Sequence, residues 1–445
     1  MNFDFTHILI FHSFIILGEA IVILVIVHML YKRRSSANMI AWLLFIILVP
    51  YIAVILYFIF GSRKRQNRYK KNHINLEKYN ITDTNKNQYF KLYTDSTKSY
   101  EILIDCIKNA KTSIYISTYV FKYDDVTVEI INELIKRADD GVKIQILIDS
   151  LGSWKLYLFQ YHLNKLRDSG VKVEFFMPIF KMPFRNYINL RNHRKIYLFD
   201  NNKVLSGGLN LSNEYLGPMP NKSRWNDILF LIEGKSVELF FEIFASDWFY
   251  ASGENLKFKN RKKSKEGDTS LQVVPSGPDM SRDVLYETLL CAIFSAKKRI
   301  WIVTPYFVPD TSLSQALIIA KHKGLDIKLI TPKTSNHLIA DLTRSSYMRE
   351  LEEEGIEIAL HNGEMLHAKA IIFDDMSVML GSVNLDNRSL FLNYEIATFV
   401  HSHRVIKEIE IWMKNLLSHS EIGTKKASHP RVIMENLMRI IAPQL

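Results

Sequence analysis

From residue 95 onward the chain is written twice. The stretch LIDCIKNAKTSIYISTYVF (103–121) lines up with LLCAIFSAKKRIWIVTPYF (289–307), each a helix followed by a strand. LIKRADDGVKIQILID (134–149) pairs with LIIAKHKGLDIKLITP (317–332), and LNKLRDSGVKVEFF (163–176) with YMRELEEEGIEIAL (347–360). A repeat of this length means two homologous halves rather than a solenoid. Helices alternating with short apolar strands predict an α/β fold of layers with largely parallel sheets. The expected division is a segment at 1–72, a first half at 95–255, a basic linker at 256–268 and a second half at 269–445.

Both halves then enter one pattern. NHRKIYLFD (192–200) and LHAKAIIFD (366–374) each carry H-x-K-x-x-x-x-D. A single hit would be weak. The agreement continues past it: Gly207 and Asn210 lie 14 and 17 positions after His193, as Gly381 and Asn384 do after His367, with Gly208 and Ser382 at 15. Such matched spacing excludes chance. The segments flanking Asp200-Asn201-Asn202 and Asp374-Asp375 read as β-hairpins. On a strand, positions i and i+2 share a face, so His193 projects with Lys195 and His367 with Lys369. Asp200 and Asp374 fall at odd offset and at the turn, which predicts that they point elsewhere and serve structure. An imidazole at work needs a carboxylate to hold its tautomer. Asp227 in WND and Glu395 in NYE, each just after a hairpin, are the candidates.

Two imidazoles, two ammonium groups and the small donors Ser382, Asn210 and Asn384 suit a phosphodiester. The lysines neutralise its non-bridging oxygens and the charge that develops. One histidine attacks phosphorus while the other protonates the departing alkoxide, then acts as base for the incoming nucleophile. No carboxylate cluster for a metal is visible, and no cofactor is expected. Cys106 and Cys291 form no C-x-x-C pair, so core packing is expected of both.

Hydrophobic residues make up 48% of the chain, and two runs account for the excess. Residues 8–31 and 39–60 are each apolar over a length that crosses a bilayer as a helix. The start MNFDF is not basic and no small-x-small site follows, so an uncleaved helical hairpin is expected. His12, Glu19 and His28 within the first run are expected to hydrogen-bond to the second helix or to headgroups. The net charge is +11, concentrated in RKRQNRYKK (63–71) and KFKNRKKSK (257–265). Directly after a membrane helix, such runs favour anionic phospholipid over nucleic acid. Six Lys/Arg at 63–71 against three at 32–34 predict a cytoplasmic catalytic region at the cell membrane. The insert MPIFKMPFRNYINLRN (177–192), absent from the second half, mixes aromatic and basic residues. It reads either as a surface loop or as a guide for lipid.

These motifs resemble the phospholipase D superfamily, and in detail its bacterial cardiolipin synthases. The resemblance rests on RNHRKIYLFD, GGLNLSNEYLG, WND, QVVPSGPD, TPYFVPD and HAKAIIFDD…GSVNLDNRSLFLNYE. It implies two phospholipase D-like halves sharing one active site, with Asp200 and Asp374 counted among the site residues on the resemblance alone. It also implies transfer of a phosphatidyl group between two phosphatidylglycerol molecules, through a phosphohistidine at His193 or His367. A phospholipase D, a synthase drawing on phosphatidylethanolamine, and a nuclease with the same twin motif are the alternatives. The membrane helices argue against the last.

Overall fold

The computed structural model describes residues 5–31, 36–60, 85–180, 189–258, 267–280 and 282–439. The N-terminal helices and the body of the chain belong to separate compact units.

In the first unit the helix Phe5–Tyr31 contains a stretch, His12–Tyr31, long and apolar enough to cross a membrane. The second apolar run is not one helix of that length. It forms two, Ser36–Leu48 and Pro50–Phe60, which meet at Val49. Proline has no N–H to offer the preceding turn and its ring crowds that turn, so the helix breaks there. Helical bonding continues across the break, from Val49 N to Phe45 O and from Ala53 N to Val49 O, both 2.9 Å. His28 Nδ1 lies 3.1 Å from Tyr57 Oη, so this histidine bonds to the second apolar run as expected. The basic runs at 32–34 and 63–71 lie outside the described residues, as does most of 257–265.

In the body, the first half supplies β1 (Asn85–Tyr93), β2 (Ser113–Thr118), β3 (Lys143–Asp149), β4 (Lys172–Phe176), β5 (Ile196–Phe199), β6 (Lys203–Gly207) and β7 (Leu229–Glu233). The second supplies β8 (Thr269–Ser276), β9 (Arg299–Val303), β10 (Phe307–Val308), β11 (Asp326–Pro332), β12 (Glu357–His361), β13 (Ala370–Phe373) and β14 (Ser377–Gly381). It continues with β15 (Leu385–Asp386), β16 (Glu395–His401) and β17 (Ser420–Ile422). One sheet runs β17-β12-β11-β9-β13-β14-β16-β8-β1-β7-β6-β5-β2-β3-β4. Its centre is the antiparallel pair β8–β1. Outward from that seam the two sides repeat the same order of equivalent strands, so the duplication in sequence is a pseudo-twofold in space.

The largely parallel arrangement expected from the helix–strand alternation is found only in the outer strands. β2-β3-β4 and β9-β11-β12 are parallel. The strands nearer the centre, β5-β6-β7-β1 and β13-β14-β16-β8, are antiparallel. The hairpins enforce this, because a tight turn can only return a strand antiparallel. Helices cover the sheet. Those at Ser96–Asn109, Asp125–Asp139 and Thr311–His322 are each started by an aspartate, Asp95, Asp124 and Asp310, whose carboxylate accepts a first-turn N–H. Cys106 is buried in the core, but Cys291 is exposed, contrary to expectation, because it sits on the outer face of the helix Val284–Ser295.

Candidate active site

The two hairpins, β5–β6 and β13–β14, pair in register as the spacing predicted. Asp200, Asn201 and Asp374 have φ of +54°, +55° and +52°. Asp and Asn tolerate this left-handed region better than other side chains. The Asp200 carboxylate accepts from the amides of Lys111, Thr112 and Ser113 at 2.7–3.1 Å. Asp374 accepts from Lys297, Lys298 and Arg299 at 2.8–2.9 Å. Each ties its turn to the start of β2 or β9. At about 3.3 Å per residue, a strand separates each aspartate from its lysine, so the structure does not bring them to the imidazoles.

At the other end of these strands the halves interlock. His193 N donates to Tyr394 O at 2.9 Å and His367 N to Asn226 O at 2.8 Å. Each acceptor immediately precedes a candidate carboxylate. The backbone therefore lays each histidine against the carboxylate of the opposite half. His193 Nδ1 lies 3.0 Å from one Glu395 carboxylate oxygen and 3.1 Å from the other. His367 Nδ1 lies 2.6 Å from Asp227 Oδ2. The candidates were legible, but their pairing was not: Asp227 follows the hairpin of His193 and meets His367.

Lys195 Nζ donates to His193 O at 2.8 Å. Lys369 Nζ hydrogen-bonds His367 O and lies 2.7 Å from His367 Nδ1. All four side chains are buried. Burial lowers Lys195 to about 7 and Lys369 to about 8. It also pushes both imidazoles below their ordinary value. Glu395 opposes the fall at His193, whereas Lys369 and Lys195 add to it at His367. Asp227 is raised by burial to about 6. Burial would raise Glu395 too, but His193 and Lys195 hold it below the carboxylate range.

The three small donors are not alike. Asn384 Oδ1 is buried with no protein partner among the described residues, whereas Asn210 Oδ1 accepts from Val120 N at 3.1 Å. The Ser382 hydroxyl donates to Glu395 Oε2 at 2.5 Å, so it holds the carboxylate instead of standing free for a phosphate. The equivalent Gly208 has the opposite task. A Cβ there would sit 2.0 Å from Asp227 Oδ1. The longer glutamate is met by a serine, and the aspartate by no side chain at all. At the preceding position, Gly207 and Gly381 have φ of +141° and +155°, and a Cβ would fall 2.1–2.2 Å from the carbonyl of Ile228 or Ile396. Those carbonyls accept from Gly208 N and Ser382 N at 3.0 Å. This close approach accounts for the repeated glycine.

Sequence reasoning missed the aromatic walls and one arginine. The Tyr119 ring packs edge-on to His193 at 4.9 Å. Tyr215 and Trp225 lie 5.2 Å from His367, and Tyr306 lies 6.4 Å from it. The signal was present: Tyr119 directly follows β2, and Tyr306 lies three residues past the end of the aligned strand β9. Arg194, between the histidine and the lysine, points to the opposite face. It donates to Asp247 Oδ1 at 2.6 Å, Ser276 O at 2.7 Å and Glu395 O at 3.1 Å. A fully buried guanidinium of the first half thus fixes the backbone that carries His193's carboxylate. Of the insert 177–192, residues 181–188 lie outside the described residues.

A family model described as "Cardiolipin synthase, PLD-like domain" matches residues 103–248 and 289–417, one H-x-K pair in each. A phospholipase D–nuclease N-terminal model matches residues 20–62. Cardiolipin synthase 1 of Bacillus cereus is 32% identical over 93% of this chain and 90% of its own. The cardiolipin synthase of Clostridium perfringens is 30% identical over 93% of this chain and 95% of its own. Among solved structures, phosphatidylserine synthase of Haemophilus influenzae shares the fold. It superposes with a TM-score of 0.65 over 83% of this chain and 99% of its own, at 16% identity. On this likeness, spread over both halves and the N-terminal segment, the chain belongs to the cardiolipin synthase family of phospholipase D-like proteins.

Proposed function

We propose that the protein transfers a phosphatidyl group from one phosphatidylglycerol to a second, forming cardiolipin and releasing glycerol. The observation that carries this is the crossed pairing of His193 with Glu395 and His367 with Asp227. A carboxylate on Nδ1 fixes the tautomer and leaves Nε2 for chemistry. In the first step one Nε2 attacks phosphorus, a P–N bond forms and the P–O bond to glycerol breaks. The other imidazole gives that oxygen its proton. In the second step this imidazole, now neutral, takes the proton from the hydroxyl of the second phosphatidylglycerol. The P–O bond of cardiolipin forms as the P–N bond breaks. Lys195, Lys369, Asn210 and Asn384 bind the non-bridging oxygens, and the anion draws the lysines back to their charged form. Asp200 and Asp374 act by holding the hairpins. No cofactor takes part.

With phosphatidylglycerol vesicles, cardiolipin and free glycerol are expected in equal amounts with phosphatidic acid minor, and added glycerol should reverse the reaction. Phosphatidic acid as the main product would show a phospholipase D instead. DNA cleavage without lipid turnover would show a nuclease.

The second apolar run completes a two-span anchor with the catalytic body on the cytoplasmic side. The charge imbalance between 63–71 and 32–34 supports this topology. A cysteine at Ser36 should react with an impermeant thiol reagent in intact cells. Protection there would mean that the loop stays on the cytoplasmic side and the run turns back within the bilayer.

The fit of Gly208 under Asp227 gives a further expectation. Gly208→Ala should displace that carboxylate and lower transfer by about a hundredfold, the scale of a misplacement near 1 Å. Ser382→Ala, which removes one hydrogen bond and inserts nothing, should cost much less in the same assay.

A further inference from the structure

Two exposed apolar segments, one in each half, border the site in equivalent positions, and the chemistry above uses neither. In the first half the chain leaves β3 through Ser153. Its hydroxyl accepts from Phe121 N at 2.8 Å and donates to Tyr119 O at 3.0 Å. Tyr119 is the ring packed on His193. Trp154, Leu158, Phe159 and Tyr161 follow, 49–64% exposed. Leu156 and Leu163 of the same stretch are buried in the core, so the segment is anchored and its exposed residues are held out by the fold. In the second half the chain leaves β11 through Asn336, whose Oδ1 accepts from Tyr306 Oη at 2.5 Å. His337 packs on the same ring at 5.6 Å, and Tyr306 is the ring facing His367. Leu338 and Ile339 follow, 74% and 51% exposed.

Grouped exposed apolar side chains mark a surface that something covers. Their chemistry and charge select the occupant. The stretch 154–165 mixes Trp, Tyr and Phe with Lys155, His162 and Lys165 and contains no acidic residue. Amphipathic rings beside cations suit the headgroup layer of an anionic bilayer. The chain itself carries a helix long enough to cross such a bilayer. We propose that these two segments dip into the headgroup layer of an anionic membrane and admit lipid to the histidine site from the membrane plane. This rests on the reading that the substrates are bilayer lipids.

The test uses the full chain with Cys291→Ser, which leaves Cys106 buried in the core, and one exposed cysteine introduced at Leu158 or Leu338, carrying an environment-sensitive fluorophore. The protein is placed in phosphatidylcholine nanodiscs with or without phosphatidylglycerol. Doxyl-labelled lipid should quench both probes by about half or more, as expected for side chains seated at the headgroup–acyl boundary, and less without phosphatidylglycerol. A probe at the exposed Lys136 should stay unquenched. Water-like, unquenched emission at both positions would overturn the proposal. So would blue-shifted emission without doxyl quenching, which would identify a second protein as the cover. The double variant Leu158→Asp, Leu338→Asp should lose about tenfold on long-chain phosphatidylglycerol in discs, through weakened seating in the interface. It should keep its rate on a monomeric short-chain phosphatidylglycerol, and equal loss on both would also overturn the proposal. If the unmodified protein turns over neither lipid, the transfer reaction is wrong, while the quenching still decides the membrane contact.

Discussion

His193→Ala and His367→Ala are each expected to lower phosphatidyl transfer by at least about a thousandfold, and the double variant should be scarcely worse than either. The reason is the order of steps. One imidazole carries the phosphatidyl group and the other moves the proton in both displacements, so removing either stops every turnover. Residues that act as one unit lose function together and their costs do not add. Both side chains are buried and face partners from the opposite half, so each variant is checked for its unfolding midpoint before its rate is read. A loss of only about tenfold in either would contradict a mechanism that needs both.

Glu395→Gln should lower transfer by a hundred- to ten-thousandfold, on the order seen when a buried carboxylate that orients a catalytic imidazole becomes an amide. The amide keeps the size but loses the charge that opposes the burial of His193. Its pH profile separates this role from simple loss of structure. Burial already lowers the proton affinity of His193 and Glu395 raises it. Without that charge the affinity falls further, so whichever limb of the profile His193 sets moves toward lower pH. An unchanged profile at reduced rate would show that Glu395 serves only packing. Asp227→Asn should cost a similar factor by presenting the wrong tautomer of His367.

What could be read in advance was local. The i, i+2 spacing of histidine and lysine and the turn residues at Asp200 and Asp374 belong to single hairpins, where neighbours in sequence are neighbours in space. The repeated glycines showed only as matched spacing, because the carbonyls they admit, of Ile228 and Ile396, lie outside the hairpins. The crossed pairing of Asp227 and Glu395 could not be read this way, because it follows from the pseudo-twofold at β8–β1. That seam rests on strands whose own sequences carry no sign of their partner. The task of Ser382 was hidden for a similar reason: it depends on the carboxylate at 395 being one methylene longer than that at 227. Helix–strand alternation described the outer strands correctly and the central ones wrongly, since the hairpins decide direction there. In the N-terminal segment, apolar length suggested one long second helix, and Pro50 divided it.

The most direct measurement of a two-histidine site is a rapid-quench experiment on the purified enzyme with phosphatidylglycerol labelled at phosphorus. A covalent phosphatidyl-enzyme is expected, labile to acid and stable to base, as a phosphorus–nitrogen bond is. It should map to a peptide containing His193 or His367, form no more slowly than cardiolipin, and vanish in one of the two alanine variants. Label held by a bond to serine or aspartate, or full cardiolipin formation with no labelled enzyme at any time, would contradict it.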